Sequence, residues 1–453
     1  MNQKCKIFFL LFSIAIFTAS KASTIPRKTA LEKSTLSSSK PTVKQVFYFG
    51  KHAKKSKEAT IVNKSIPFDS ALGYGFDFNT AAHVKWNSNS FTTEAPTYFS
   101  VQLPEGNYQV SVNFGSKTKN TNTTIKAESR RLMLDLQELK KGEIATKTFN
   151  VNVRTIRIDE NSEIKLKKRD IGQLNWDEKL TLEFLGTVEI KSISITPIPN
   201  VTSVYLAGDS TVTDQDVEPW ASWGQYITNY FNDKIVVSNY AASGLTLRSF
   251  KADLRLKKIL SIIKPGDYLI VEFAHNDEKE RGEGIGPWDS YSTSLREYVQ
   301  AARDKGAIPI LITPVQRRVF NADGTLKPTH GDYPDAMRKL AQEMKVPLVD
   351  LTKLTTTLYE SWGDEPSRKA FVQYPANTFP GQKEKLEDNT HFNSFGANEI
   401  ALCVMQGLRD LKNPLAHYFI KPVPQYNPKH PNTFAKWTLP MSTRFETAKP
   451  DGN

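Results

Sequence analysis

Cysteine is almost absent: there are two in 453 residues, Cys5 and Cys403. Cys5 stands before the chain's first apolar run, where it cannot be the acylated cysteine of a lipoprotein signal. Cys403 is therefore the only cysteine of the mature chain, which excludes an intrachain disulfide and a cysteine-ligated metal site. There is no His-Glu-x-x-His and no Gly-x-Gly-x-x-Gly, so neither a metal nor an organic cofactor is expected. Gly-x-Ser-x-Gly is missing too, which argues against the nucleophile elbow of an α/β-hydrolase. Acidic residues are outnumbered 48 to 60 by lysine and arginine, for a formal charge of +12. A basic chain favours polyanionic partners, although a generally solvated basic surface gives the same count. Without zinc-finger spacing or an RNA-binding aromatic motif, nucleic acid is not among the expected partners.

Long apolar runs are also scarce. One occurs at residues 7–17, "IFFLLFSIAIF", between a basic start and the small residues "TASKAS". That is the layout of a secretory signal peptide, too short for a comfortable membrane span. Residues 1–22 thus read as a signal peptide, with a retained anchor as the alternative. The mature chain is expected to be exported, to the periplasm or the medium, with no membrane span after signal removal. Residues 23–42, rich in Ser, Thr, Pro and Lys, read as a flexible leader.

What the sequence does contain falls into two textures. Residues 43–199 run in short alternating segments such as "TYFSVQLPEGNYQVSVNFG" and "KLTLEFLGTVEIKSISITPI". They predict an all-β sandwich of jelly-roll type, a possible carbohydrate-binding module, with a hairpin turn at Pro-Glu-Gly-Asn. The stretch "ESRRLMLDLQELKKG" fits either a helical or a strand period. From residue 200 to 412, five β-branched runs ("SVYLAG", "KIVVSNYA", "DYLIVEFA", "IPILITPV", "VPLVDLT") alternate with amphipathic segments. This is the α/β pattern of a parallel sheet covered on both faces. Residues 413–453, rich in proline, aromatics and lysine, read as a tail packing on that layer.

Candidate chemistry sits where the strand-like runs end. "SVYLAGDSTVTD" stops abruptly at Gly-Asp-Ser-Thr, which exposes Ser210 at the edge where open α/β sheets hold their sites. A serine hydroxyl needs an imidazole to take its proton and a carboxylate to orient that imidazole. "DNTHFN" supplies both, as Asp388 and His391. Donors for a developing oxyanion are available from Ser210 itself, from the N–H of Gly244 after the second strand, and from the Asn276 side chain after the third. Each alone has a bland reading: Ser210 as a helix N-cap, Asn276 as a turn residue. Asp209 reads as a structural carboxylate, His275 as a packing residue and Trp223 as core.

Together these blocks resemble the SGNH (GDSL) hydrolases. "FAHND", "ITPVQRRVF", "THGDYPDAMRKLA" and "DNTHFNSFGANEIA" are similar to the rhamnogalacturonan acetylesterases of carbohydrate esterase family twelve. The likeness covers residues 201–411 and departs at Ala274, where glycine is more usual. It implies a flavodoxin-like three-layer α/β sandwich with a five-stranded parallel sheet, preceded by a galactose-binding-like sandwich. It further implies Ser210 as nucleophile, His391 as base, Asp388 as its orienter, and Ser210, Gly244 and Asn276 as oxyanion hole. The activity implied is removal of acetyl groups from a pectic polysaccharide. Arg317 and Arg318 are candidate contacts to its carboxylates, with Trp288 and His330 as further candidates at the cleft. Alternative readings are a lipase, an esterase of another acylated glycan, or a glycan-binding protein with an inactive hydrolase layer. A polar, glycine-rich insertion after Asn276 speaks against the apolar lid of a lipase. Oligomeric state is not addressed by the sequence.

Overall fold

The computed structural model describes residues 43–51, 59–422 and 425–451. The expected signal peptide and leader lie outside the described residues.

Five parallel strands form the central sheet of the C-terminal half: Thr202–Gly208, Ile235–Asn239, Tyr268–Glu272, Ile308–Ile312 and Leu348–Val349. Taken in chain order, they are arranged 2-1-3-4-5 across the sheet. The cause is legible in the side chains, which point to alternate faces of a strand. Val204, Leu206, Ile270, Ile310 and Ile312 pack on one face with the helices Leu351–Trp362 and Ser394–Asp410. Tyr205, Ala207, Leu269, Val271 and Leu311 pack on the other, against Arg255–Ile262, Ser292–Asp304 and Tyr333–Met344. Both faces being covered, every strand reads as a continuous apolar run. In this strand order the switch point lies at the carboxyl ends of the first and third strands, where a ligand crevice is expected.

Residues 43–199 are mostly strands in two packed layers that share one long strand, Lys179–Pro197. Its first part pairs with Thr97–Gln102 and Thr121–Ala127, its second with Gly106–Phe114 and Gln45–Phe49. Between the layers, Phe49 meets Phe91 and Phe99 edge to face with centroids 4.9 and 5.3 Å apart. The long strand changes partners near Gly186, whose φ is +98° and where a Cβ would lie 2.4 Å from the Asn122 carbonyl oxygen. Only glycine fits there. The expected hairpin at Pro-Glu-Gly-Asn is not formed. Its two strands pair with opposite parts of Lys179–Pro197, so the turn is a corner between layers. The ambiguous stretch is a strand, Arg131–Leu139, paired with Thr121–Ala127.

Buried charges join this β part to the parallel-sheet layer. Arg131 Nε donates to Asp214 Oδ2 at 2.8 Å, Arg130 Nη2 meets Glu218 Oε2 at 2.5 Å, and Ser129 Oγ donates to Asp216 Oδ1 at 2.7 Å. All three acids belong to the loop that begins at Ser210.

Candidate active site

Ser210 follows the first strand of the parallel sheet through a turn that leaves no room for a side chain at residue 208. A Cβ on Gly208 would lie 2.5 Å from Val212 Cγ2 and 2.9 Å from the Glu272 carbonyl oxygen. Asp209 then closes the turn, its Oδ1 accepting from the Thr211 N–H at 3.0 Å and the Thr211 hydroxyl at 2.9 Å. The Ser210 carbonyl is held twice, by Ser222 Oγ at 2.6 Å and Gln215 Nε2 at 2.9 Å.

Asp388 and His391 lie on the strand Leu386–Phe392, and Asn393 caps the helix that follows by accepting from the Gly396 N–H at 3.1 Å. His391 Nε2 is 2.8 Å from Ser210 Oγ, and His391 Nδ1 is 2.8 Å from Asp388 Oδ2. With Nδ1 donating to the carboxylate, Nε2 is left as acceptor for the serine hydroxyl. Burial alone would raise the Asp388 carboxyl. Hydrogen bonding and charge from His391, with the N–H groups of His391 and Thr390, hold it instead at about 2. It is therefore anionic at any working pH. Trp220 packs edge-on against the imidazole, centroids 5.9 Å apart, and its indole N–H donates to the Glu446 carbonyl.

The expected oxyanion donors keep N–H groups available. Gly244 has φ +74° in the loop after the second strand. Among the described residues, the N–H groups of Ser210 and Gly244 make no hydrogen bond. Asn276 Nδ2 uses one hydrogen on the Leu245 carbonyl at 3.1 Å and keeps the other. Such donors can receive charge developing on a carbonyl oxygen attacked by Ser210.

Beneath these groups lies a buried acidic pair. Glu272 accepts from Trp223 Nε1, Thr211 Oγ1 and the Val315 N–H. Burial first, and the Asp209 charge second, push its carboxyl to about 8. Burial likewise raises Asp209. His275, buried and close to His330, is held well below the usual imidazole range. Asp209, His275 and Trp223 accordingly act in the packing beneath the site.

The expected substrate contacts all have partners within the chain. Arg318 is buried and donates to Ser367 Oγ, Asn389 Oδ1 and Asp364. Arg317 pairs with Glu278 at 2.5 Å and reaches the His275 carbonyl. His330 bridges Glu278 Oε2 and the Val315 carbonyl, both at 2.8 Å. Trp288 is exposed, donates to Asp332 and lies under Lys339. The basic pair at the fourth strand's end is drawn inward by nearby acids, so it is not a free cationic edge. Another set of cations, Lys167 and Arg169, lies in a polar stretch of the β part that carries no local signal of a site. Lys167 Nζ donates to the Ser243 carbonyl at 2.9 Å, beside Gly244.

The sheet order and the groups gathered at its carboxyl edge define an SGNH hydrolase fold. Residues 206–397 match the GDSL-like lipase/acylhydrolase family. Rhamnogalacturonan acetylesterase RhgT of Bacillus subtilis (strain 168) is 42% identical over 219 residues, covering 48% of this chain and 94% of that one. The probable rhamnogalacturonan acetylesterase YesY of the same organism is 36% identical, covering 48% and 97%. The uncharacterized esterase YxiM, also from B. subtilis, is 27% identical over 368 residues, 77% of this chain and 86% of that one. The chain belongs to the GDSL-like lipase/acylhydrolase family, and it is a carboxylic ester hydrolase. Among the described residues no helix is long and apolar enough to cross a membrane.

Proposed function

We propose that this hydrolase removes acetyl groups from a pectic polysaccharide, rhamnogalacturonan in the first instance. The observation that carries the reading is the unbroken line from Ser210 Oγ through His391 to Asp388, two contacts of 2.8 Å each. Ser210 Oγ attacks the acetyl carbonyl carbon as His391 Nε2 takes its proton, and Asp388 holds the imidazolium that results. The oxyanion is received by the N–H groups of Ser210 and Gly244 and by Asn276 Nδ2. The C–O bond to the sugar breaks as His391 returns the proton to the departing hydroxyl, leaving an acetyl-enzyme. Water, deprotonated by His391, attacks this ester and releases acetate and free Ser210. No step calls on a metal or an organic cofactor.

The substrate class rests on the two relatives named as rhamnogalacturonan acetylesterases, both matched over nearly their whole length. The basic composition is consistent with an acidic glycan. We read the β part as a galactose-binding-like jelly roll and the chain as exported, to the periplasm or beyond. Acetate release from acetylated rhamnogalacturonan, acetylated xylan and a lipid ester, measured in parallel, tests the reading. A clear preference for the pectic substrate is expected, and a preference for the lipid ester would replace it with a lipase.

A further inference from the structure

The C-terminal segment touches Trp220, Arg169 and Gly244 in turn, and its contacts mark a position for a negative charge. Arg169 Nη2 donates to the Lys449 carbonyl at 2.6 Å and to the Ala448 carbonyl at 3.4 Å. Its other terminal nitrogen, Nη1, is buried without a hydrogen bond and stands 4.0 Å from Asp451 Oδ1. That separation is well beyond the roughly 2.7–2.9 Å of a formed guanidinium–carboxylate bond. Asp451 itself lies on the proposed oxyanion glycine: a Cβ at Gly244 would be 2.7 Å from Asp451 Cβ and 2.9 Å from Lys167 Nζ. One acidic side chain and one cation thus lie against Gly244, and a second cation, Arg169, stands beside that acid.

The Arg169 backbone is firmly placed. Its neighbour Asp170 forms a buried ion pair with Arg255, which also donates to the Tyr240 carbonyl at 3.1 Å. Lys167 is tied to Ser243 on the same loop. Beside Arg169 opens a cleft of about 170 Å³, lined among others by Gln173, Gln215, Asp216, Trp220 and Arg444. It is small against the roughly 300–1,000 Å³ of ordinary ligand pockets, so it suits one sugar unit. In this cleft Arg444 is already paired with Asp216 at 2.5 Å. Arg444 Nη1 and Arg169 Nη1 are both buried without a hydrogen bond, but the second terminal nitrogen of Arg444 already holds a carboxylate, whereas that of Arg169 holds only backbone carbonyls. A donor left so costs stability until an acceptor arrives, and a carboxylate gains the most from it.

We infer that Arg169 binds a uronate carboxylate of the acetylated glycan next to the ester under attack, in the place that Asp451 holds in the free chain. This inference rests on the acetylesterase reading above and deepens it. Arg169 and Asp451 both lie outside residues 206–397, where the family match falls. Selectivity for an acidic chain is therefore supplied by the β part and the C-terminal segment together.

Two substitutions of opposite sign test this in the full-length protein. Arg169→Gln should raise KM for acetylated rhamnogalacturonan oligosaccharides about tenfold relative to KM for p-nitrophenyl acetate, the lower range for a hydrogen bond to a charged group. Asp451→Asn should lower the same KM about two- to threefold, with no change on acetylated xylan. As a second readout, trigalacturonate should inhibit p-nitrophenyl acetate hydrolysis competitively, with a Ki weakened by Arg169→Gln and improved by Asp451→Asn. Equal effects of either variant on acidic and neutral glycans, or a Ki indifferent to both, would overturn the assignment. If the wild-type protein cleaves p-nitrophenyl acetate but no pectic substrate, the acetylesterase reading fails, and the trigalacturonate Ki still decides the role of Arg169.

Discussion

Arg131 and Asp214 form a fully buried ion pair between the β part and the loop that follows Ser210. Asp214 Oδ1 also accepts from Asn239 Nδ2 at 2.8 Å, which fixes the loop to the second strand of the parallel sheet. Glu218 is likewise neutralised by Lys126 and Arg130, while Asp216 takes a hydrogen bond from Ser129 and its ion pair from Arg444.

Breaking such a pair leaves an uncompensated buried charge, at a cost of about 3–5 kcal/mol. Arg131→Ala should therefore lower the melting temperature clearly and reduce esterase turnover, because the Ser210 loop loses its anchor. A fragment beginning at residue 200 should be insoluble or inactive. Thermal melts and p-nitrophenyl acetate assays on both proteins check this, and a stable, fully active fragment would make the β part a separable module.

Asn276→Ala should cut turnover by about two to three orders of magnitude with little change in KM, the usual loss for one oxyanion donor. Steady-state kinetics on a soluble acetate ester decide it. Near-normal turnover would confine Asn276 to its bond with the Leu245 carbonyl.

Stability should fall on the alkaline side. The Glu272 carboxyl ionises at about 8 in the fold, against an ordinary value of 4.5. Between those values the folded chain holds a proton that the unfolded chain has lost, so folding weakens as pH rises across that window. Asp209→Asn keeps an acceptor for Thr211 but removes the neighbouring charge, and should lose less melting temperature between pH 6 and about 9 than the wild type. Asp388 has the opposite sign. Its depressed carboxyl adds stability above its ordinary 3.8, and this is lost as pH falls toward about 2. Identical pH profiles for the wild type and Asp209→Asn would refute the coupling.

Arg318→Ala should destabilise the fold without shifting preference between acidic and neutral glycans. Its guanidinium is already taken by Asp364, Ser367 and Asn389. A rise in KM confined to the pectic substrate, with the melting temperature unchanged, would restore it as a contact.

The parallel sheet was legible because its strands are buried on both faces, so runs such as 203–208 and 268–272 stand out without regard to what they pair with. Ser210, Asp388 and His391 were legible because each ends a strand or precedes a helix at one edge. Pairing between distant segments was not. The turn at residues 104–107 carries good hairpin residues, yet the long strand Lys179–Pro197 draws its flanks into different layers. The stretch around Arg131 fits two periods, and its strand pairing with Thr121–Ala127 decided between them. Arg317 and Arg318 read as free cations in the sequence because nothing local announces Glu278 or Asp364, about 40 or more residues away, as their partners. Arg169 escaped notice for the converse reason: its surroundings come from the chain's far end.

The central claim is that Ser210 carries the acetyl group removed from the glycan. The most direct measurement is acetate release from acetylated rhamnogalacturonan by the wild type and by Ser210→Ala, side by side, with folding verified by matching melting curves. Loss of the nucleophile should cost on the order of a millionfold in turnover, which leaves no detectable release. A folded Ser210→Ala protein that still liberates acetate at a measurable fraction of the wild-type rate would contradict the account.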